Sequence, residues 1–216
     1  MKDSIKKLTF IILLATLTVS CGDLSSDERE NDPVYSEQVR SLNGVLHIQN
    51  GGASSYGRSD YEVGTQKRIL LRLENLGELS GNVVIDDTHR MMFELNIMKA
   101  ADVNAAKANF KLCPLLKNWM MLASWTHAHP FPGGSGPWGT PGGDFHQAEC
   151  IEISQSLVDP DPSILKFDVS DWFVHYQQSR SSNFGWVLIS GIDGINVYGD
   201  SHISKAPKLK WQEFIR

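Results

Sequence analysis

Alternation of apolar and polar residues is the main pattern along the chain, and it predicts β-strands. Segment 66–73 shows it best: apolar residues recur at every second position from Ile69, on the face opposite Arg68 and Arg72, as in a half-buried strand. Further apolar runs of strand length are residues 45–49, 91–98, 151–153, 165–169, 186–190 and 207–211. Glycine-containing turns such as 50–52 separate several of these runs.

Two segments favour helical structure. Residues 100–110 are rich in alanine, a strong helix former, but residues 107–112 fit the start of a strand equally well. Both alternatives stay open for this segment. After strand 165–169, Ser170 or Asp171 is placed to cap one or two helical turns.

Together these elements predict an all-β fold. Many short strands joined by glycine-rich turns are typical of a β-sandwich, here jelly-roll-like, with long loops and a short helical turn. No internal repeat of 20 to 50 residues is present. Residues 42–214 suffice for one domain with a substantial core.

One long segment, residues 125–145, fits neither helix nor strand. It holds six of the eighteen glycines and four of the nine prolines, together with two tryptophans. The aromatic content argues against disorder, so a packed loop anchored by Trp125 is predicted.

The N-terminus has the pattern of a bacterial secretory signal. Three lysines precede an apolar run at residues 8–19, which ends in small or β-branched residues before Cys21. The run is too short to span about 30 Å of hydrocarbon at about 1.5 Å per residue. A retained transmembrane helix is therefore the weaker alternative.

The Thr18-Val19-Ser20-Cys21 segment resembles the lipobox of bacterial lipoproteins. The resemblance implies a signal peptide at residues 1–20 and lipidation of Cys21, whose acyl chains anchor the protein to a membrane. Gly22 after the cysteine favours the outer membrane, on its periplasmic or surface side. Thr18 departs from the usual leucine, so cleavage as an ordinary secreted protein stays open. The acidic segment 21–41 is predicted to be a flexible tether.

Charge and cysteine content agree with export. The formal charge is −5, and it falls to −7 without residues 1–20, which hold three lysines and one aspartate. Nothing in this acidic chain indicates a nucleic-acid partner. With Cys21 lipidated, Cys113 and Cys150 form a pair in an oxidising compartment, and a disulfide is predicted. Two buried thiols are the alternative.

A basic strip is the first candidate binding site. Arg68 and Arg72 share one face of a predicted strand, and Lys208 and Lys210 share one face of another. If both strands lie on one exposed sheet face, the four cations suit an acidic, uronate-rich polysaccharide, since arginine forks match carboxylates. Ordinary solvated faces are the alternative.

Tryptophans are the second source of candidates, because sugars stack on aromatic rings. Trp172 and Trp186 lie in apolar contexts and are expected in the core. Trp138, between glycine and proline residues of the long loop, is the one expected to face a ligand.

A metal site is weighed and not assigned. His127 and His129 project to the same side of an extended chain, and Asp144 and His146 follow in the same loop. Loop histidines hydrogen-bonded to backbone carbonyls are the favoured interpretation. We predict no metal and no cofactor.

Catalysis is weighed in the same way. Glu149 with Glu152, or Asp168 with Asp171, has the composition of a glycosidase carboxylate pair, but sequence spacing does not supply the required geometry. No serine lies in a nucleophile-elbow context. We therefore expect a protein without chemistry of its own.

Several motifs together resemble the DNRLRE, or disaggregatase-related, domain. They are SYGRSDYEVGTQKRILLRL, ASWTHAHPFPGGSGPWGTPGGDF, LKFDVSDWF, NFGWVLIS and PKLKW. The resemblance covers nearly all of residues 42–211 and implies a β-sandwich carbohydrate-binding module of secreted and surface proteins. The chain reads LLRLEN where the family usually has LLRFDLS, and Thr126-His127 replaces an asparagine after Trp125.

These expectations combine into one functional hypothesis. The protein is predicted to be a membrane-anchored extracytoplasmic module that binds a polysaccharide. The alternative is a non-catalytic structural or adhesion module of the cell envelope with a protein partner. The sequence does not determine the oligomeric state.

Overall fold

The described part of the chain contains eleven strands in two antiparallel sheets. The computed structural model describes residues 38–42, 44–72, 85–86, 88–132, 136–153, 161–178 and 183–213. The predicted signal peptide, Cys21 and the tether up to residue 37 lie outside these ranges. Among the described residues, no helix has both the length and the apolar character needed to cross a membrane.

The elements follow one another in short segments. The strands are β1 (Gln38–Ser41), β2 (Gly44–Gln49), β3 (Asp60–Val63), β4 (Lys67–Arg72), β5 (His89–Lys99), β6 (Phe110–Pro114), β7 (Ile151–Glu152), β8 (Ile164–Asp168), β9 (Trp186–Ser190), β10 (Ile195–Tyr198) and β11 (Lys208–Glu213). The helices are α1 (Val103–Asn109) and α2 (Ser170–Gln178), with a 3-10 turn at Gln147–Glu149.

The strands are divided between two sheets. The six-stranded sheet runs β1-β11-β5-β10-β3, with β8 paired to β5 outside this path. The five-stranded sheet runs β2-β4-β9-β6-β7. All strand pairs are antiparallel, for example Leu209 opposite Phe93 and Leu70 opposite Val187.

The main core lies between the sheets. Phe93 and Leu95 of the six-stranded sheet share one buried cluster with Ile69, Leu71 and Trp186 of the five-stranded sheet. The period-2 alternation supplies these inward positions, as expected for a sandwich. The predicted all-β sandwich is confirmed.

A second core covers the outer face of the five-stranded sheet. It is formed by residues 115–132 and 136–146, here named the loop layer. Trp119 and Trp138 of the loop layer pack against outward-facing residues such as Leu70 and Val187. Leu70 is completely buried. The prediction that only one face of β4 is buried is therefore wrong at Leu70, which the loop layer covers, whereas Arg68 and Arg72 on the same face stay partly exposed.

The ambiguous segment after residue 100 contains both predicted elements. The Asp102 carboxylate accepts hydrogen bonds from the N–H groups of Asn104 and Ala105 and so caps α1. The helix ends at Asn109, and β6 begins at Phe110.

Differences from the prediction lie at strands with a weak pattern. β3 and β10 were not predicted. β1 occupies residues assigned to the tether, and it pairs with β11.

Candidate functional site: a cleft between the two sheets

A cleft of about 430 Å³ opens where edge strands β7 and β8 approach each other. We name it the intersheet cleft. Its lining comes from both sheets and from α2: Pro114, Glu149, Ile151, Asp168, Asp171, Trp172 and His175.

Trp172 provides the aromatic surface of this cleft. α2 begins at Ser170, whose hydroxyl accepts a hydrogen bond from the Met91 N–H of the neighbouring strand. Phe173 then points into the core, which places Trp172 at the cleft. The Trp172 ring lies 4.2 Å from the Trp186 ring and stacks on Tyr176 at 5.6 Å. The expectation that Trp172 lies inside is thus only partly right, since the ring is partly exposed.

Acidic side chains dominate the lining. Glu149, Asp168 and Asp171 contribute three carboxylates, whereas no lysine or arginine of the described residues contributes to the lining. The Asp168 carboxylate accepts a hydrogen bond from the Ser170 N–H at 3.0 Å, so its orientation is fixed. Carboxylates of this kind accept hydrogen bonds from hydroxyl groups.

In the sequence, these carboxylates form two separate candidate pairs, Glu149 with Glu152 and Asp168 with Asp171. The structure brings Glu149 to the same cleft as Asp168 and Asp171, and it leaves Glu152 in an exposed ion pair with Lys111. His175 was not singled out from the sequence. The available signal was the clustering of Asp168, Asp171 and Trp172 at a junction between strand and helix.

The arginines of the predicted basic strip bind the loop layer. The Arg72 guanidinium lies 4.5 Å from the Trp119 ring centre and donates to Asn118 Oδ1 at 2.8 Å and to the Trp119 carbonyl. The Arg68 guanidinium lies 4.9 Å from the ring centre of Trp125.

The two lysines of that strip lie on the other sheet. Lys208 and Lys210 point outward from β11, and together with Lys166 they surround Glu94. The ammonium groups lie 3.2 to 3.7 Å from a Glu94 carboxylate that is almost completely buried. A single strip of four cations is therefore not formed, because β4 and β11 belong to different sheets.

Trp138 is the remaining candidate from the sequence. It is only 5% exposed, and its indole N–H donates to the Ser124 carbonyl at 2.9 Å. It packs on the five-stranded sheet as part of the second core. The prediction that Trp138 faces a ligand is therefore corrected: the ring serves as packing for the loop layer.

The predicted disulfide between Cys113 and Cys150 is confirmed, with an S–S distance of 2.01 Å. It joins β6 to the residue that follows the 3-10 turn. Glu149 of the intersheet cleft is the neighbour of Cys150, so the bridge restrains one wall of the cleft.

The four residues weighed as metal ligands have other partners. His127 contacts the Thr126 hydroxyl, His129 contacts the Asn118 carbonyl, and Asp144 accepts the N–H groups of Gly139 and Thr140. His146 lies 3.7 Å from Glu149. In the described ranges, no three histidine, cysteine, aspartate or glutamate residues form a group able to hold a metal ion.

Comparison with known proteins leaves the family open. No protein-family model matches the chain, and no curated protein is significantly similar to it. The functional interpretation therefore depends on the residues of the cleft.

Proposed function

We propose that the protein is a carbohydrate-binding module and that the intersheet cleft holds the sugar. One observation carries the proposal: a partly exposed tryptophan, Trp172, lies among three carboxylates in a concave site of about 430 Å³. This size is within the usual range for small-ligand sites. The resemblance of the sequence motifs to the DNRLRE domain supports the same class of function.

The chemistry of the lining favours a neutral sugar. The apolar CH face of a pyranose packs on an indole ring, while its hydroxyl groups donate to carboxylates. A uronate would bring a negative charge toward Glu149, Asp168 and Asp171. We therefore assign neutral glycan units to this cleft.

We propose binding without bond cleavage. A glycosidase needs a general acid whose pKa is raised by burial. Glu149 and Asp171 are exposed, and the side chain of Glu149 is 63% accessible. Solvated carboxylates suit hydrogen bonding to a ligand better than proton donation.

A membrane-anchored, extracytoplasmic location completes the proposal. It rests on the N-terminal signal and on the lipobox-like segment before Cys21, which lie outside the described residues. Metabolic labelling with a palmitate analogue tests it in the source bacterium or a related host. Label in the wild-type outer-membrane fraction, lost in Cys21→Ser, supports lipidation, and an unlabelled, soluble wild-type protein contradicts it.

A glycan array followed by calorimetry tests the sugar site. We expect a neutral glycan to bind, and we expect Trp172→Ala to weaken that binding at least tenfold while the protein stays folded. Phe131→Ala is the matched control, since Phe131 is an aromatic residue, 55% exposed, outside the cleft. Equal affinity in wild type and Trp172→Ala contradicts the proposal.

A protein partner is the second candidate function. Leu116, Leu122 and Phe131 of the loop layer are each about half exposed, and exposed apolar residues of one surface layer are available for contact with a protein partner. A blank glycan array, together with a pull-down partner lost in Leu122→Ser/Phe131→Ser, favours this alternative.

A further inference from the structure

A second cleft, here named the Arg68 cleft, differs in charge from the first. It has a volume of about 330 Å³, and its polar lining includes Thr65, Arg68, Asn109, Lys111, Gln147 and Ser190. Of the residues that the structure describes, two cations and no aspartate or glutamate line it. It contacts Gln147 and Cys150, whereas the intersheet cleft contacts Glu149 and Ile151 of the same short segment. A segment of five residues thus borders both an acidic and a basic cleft.

Arg68 is the cation of this cleft that lacks a carboxylate. Lys111 is paired with Glu152 at 2.9 Å, and Asp193 near the cleft accepts from Thr65 N at 2.7 Å. Within the described ranges, no carboxylate lies at ion-pair distance from the Arg68 guanidinium. Desolvation of a charge without a counter-ion is costly, and it is rarely tolerated without a role.

Neighbouring groups hold the Arg68 guanidinium in place. Its Nη1 donates to the Gly142 carbonyl at 2.9 Å, and the rings of Trp125 and Phe145 lie 4.9 and 5.4 Å from its central carbon. Cation–π contacts of this kind offset part of the desolvation. A guanidinium has five N–H donors, so most of them are not used by the Gly142 carbonyl. Burial also lowers the pKa of Arg68, as expected for a cation without a counter-ion.

We propose that the Arg68 cleft binds the carboxylate of an acidic sugar. A planar guanidinium fork matches a carboxylate in two parallel hydrogen bonds, and a rigidly held fork loses little entropy on binding. The Gln147 amide and the Lys111 ammonium supply further donors to the same space. The ligand class rests on the proposed carbohydrate binding, but the site is separate from the intersheet cleft.

Arg72 offers a matched control on the same strand. It lies on the same face of β4, contacts a tryptophan ring and binds the loop layer, but it does not line the Arg68 cleft. If Arg68 only holds the loop layer, replacing Arg68 and replacing Arg72 both lower the stability of the fold, and neither changes ligand binding.

Calorimetry at constant ionic strength tests the proposal. The ligands are oligomers of galacturonate and of glucuronate, each compared with its methyl ester, which keeps the sugar and removes the charge. We expect the charged oligomer to bind at least tenfold more tightly than its ester. We expect Arg68→Met to abolish this difference and Arg72→Met to retain it.

Two additions keep the test decisive. Lys111→Glu adds an acid to the lining at an exposed position and is expected to weaken uronate binding even if Arg68→Met does not fold. Inorganic phosphate is titrated in parallel. Equal binding of acid and ester, unchanged uronate binding in folded Arg68→Met, or binding of phosphate but not of uronates overturns the proposal. Loss of neutral-glycan binding in Trp172→Ala is scored separately, so failure of one site is not confused with failure of the other.

Discussion

The ring of Trp172 packs on the ring of Trp186, with 4.2 Å between the ring centres and 54° between the planes. Trp186 is completely buried. It lies opposite Pro114 across the β6–β9 pair, and Pro114 lines the cleft together with Trp172. The aromatic surface of the intersheet cleft is thus supported directly by the core of the sandwich.

This contact predicts different effects for the two tryptophans. Trp186→Ala is expected to lower the free energy of unfolding by about 3 to 5 kcal/mol, because it leaves a cavity in the main core. Trp172→Ala is expected to cost less, since part of that ring is already exposed. Urea denaturation of both variants measures the difference. Equal losses in the two variants contradict the assignment of Trp172 to the cleft.

Glu94 is predicted to be a main electrostatic support of the six-stranded sheet. Its buried carboxylate faces Lys166, Lys208 and Lys210 at 3.2 to 3.7 Å. Glu94→Gln leaves the three ammonium groups without this counter-charge, and we expect a loss of about 3 to 5 kcal/mol in unfolding free energy.

Glu152→Gln is the control for this prediction. It removes an exposed ion pair with Lys111, and such pairs contribute about 0 to 1 kcal/mol. Denaturation curves at low and high salt check both variants. A Glu94→Gln protein as stable as Glu152→Gln shows that the three lysines are stabilised in another way.

Gly142 is predicted to be essential for docking of the loop layer. Its φ is +91°, and a Cβ at this position would lie 2.6 Å from Arg68 Nη1 and 2.9 Å from the Trp125 ring. Gly51 has φ +71° with open space around it, so Gly51→Ala measures the cost of the backbone conformation alone. We expect Gly142→Ala to lose at least about 1 kcal/mol more than Gly51→Ala, because overpacking is added. Urea unfolding with tryptophan fluorescence compares the two, and equal losses contradict a tight contact.

His47 predicts a dependence of stability on pH. Burial lowers the pKa of His47 below its ordinary value of 6.5, although its hydrogen bond with the Glu62 carbonyl opposes this. As the pH falls below 6.5, His47 is protonated in the unfolded chain before it is protonated in the folded protein. The free energy of folding that neutral His47 contributes is therefore fully present above pH 6.5. It is lost as the pH falls from 6.5 through the lowered pKa of the folded protein.

Unfolding free energies at pH 8, 6.5 and 5 in wild type and His47→Gln check this prediction. The loss between pH 8 and pH 5 is expected to be smaller in the variant. Asp86 acts in a separate, lower window, because hydrogen bonds from Thr88 hold its pKa at about 2 instead of 3.8. An identical pH profile in the two proteins contradicts the role of His47.

Much of the secondary structure follows from local pattern. β9 matches the predicted segment 186–190 completely. The helix α2 also begins where it was predicted, but Ser170 is its first residue and not its cap, because the Ser170 hydroxyl accepts from the Met91 N–H and the Ser170 N–H donates to Asp168. The disulfide followed from the number of cysteines in an exported chain. β3 and β10 were missed although their buried and partly exposed residues alternate, because each has only four residues.

The candidate sites were less predictable. Trp138 has glycine and proline neighbours and was expected at a ligand, whereas Trp172 was expected in the core. Trp138 is instead buried against the five-stranded sheet, and Trp172 lines a cleft. Arg68 and Lys210 both alternate with apolar residues, yet one faces the loop layer and the other faces Glu94. Local alternation does not distinguish these environments.

The amino-acid pattern was sufficient to set which residues of a strand share a face, because successive side chains point to opposite sides. The sequence was also sufficient to predict the all-β class and the pairing of Cys113 with Cys150. Membership of each strand in one sheet or the other depends on pairing between distant segments, such as β5 with β11. The same long-range pairing brings Glu149 beside Asp168 and separates Arg68 from Lys208. The two clefts therefore arise from the tertiary arrangement, whereas the faces that line them were already encoded locally.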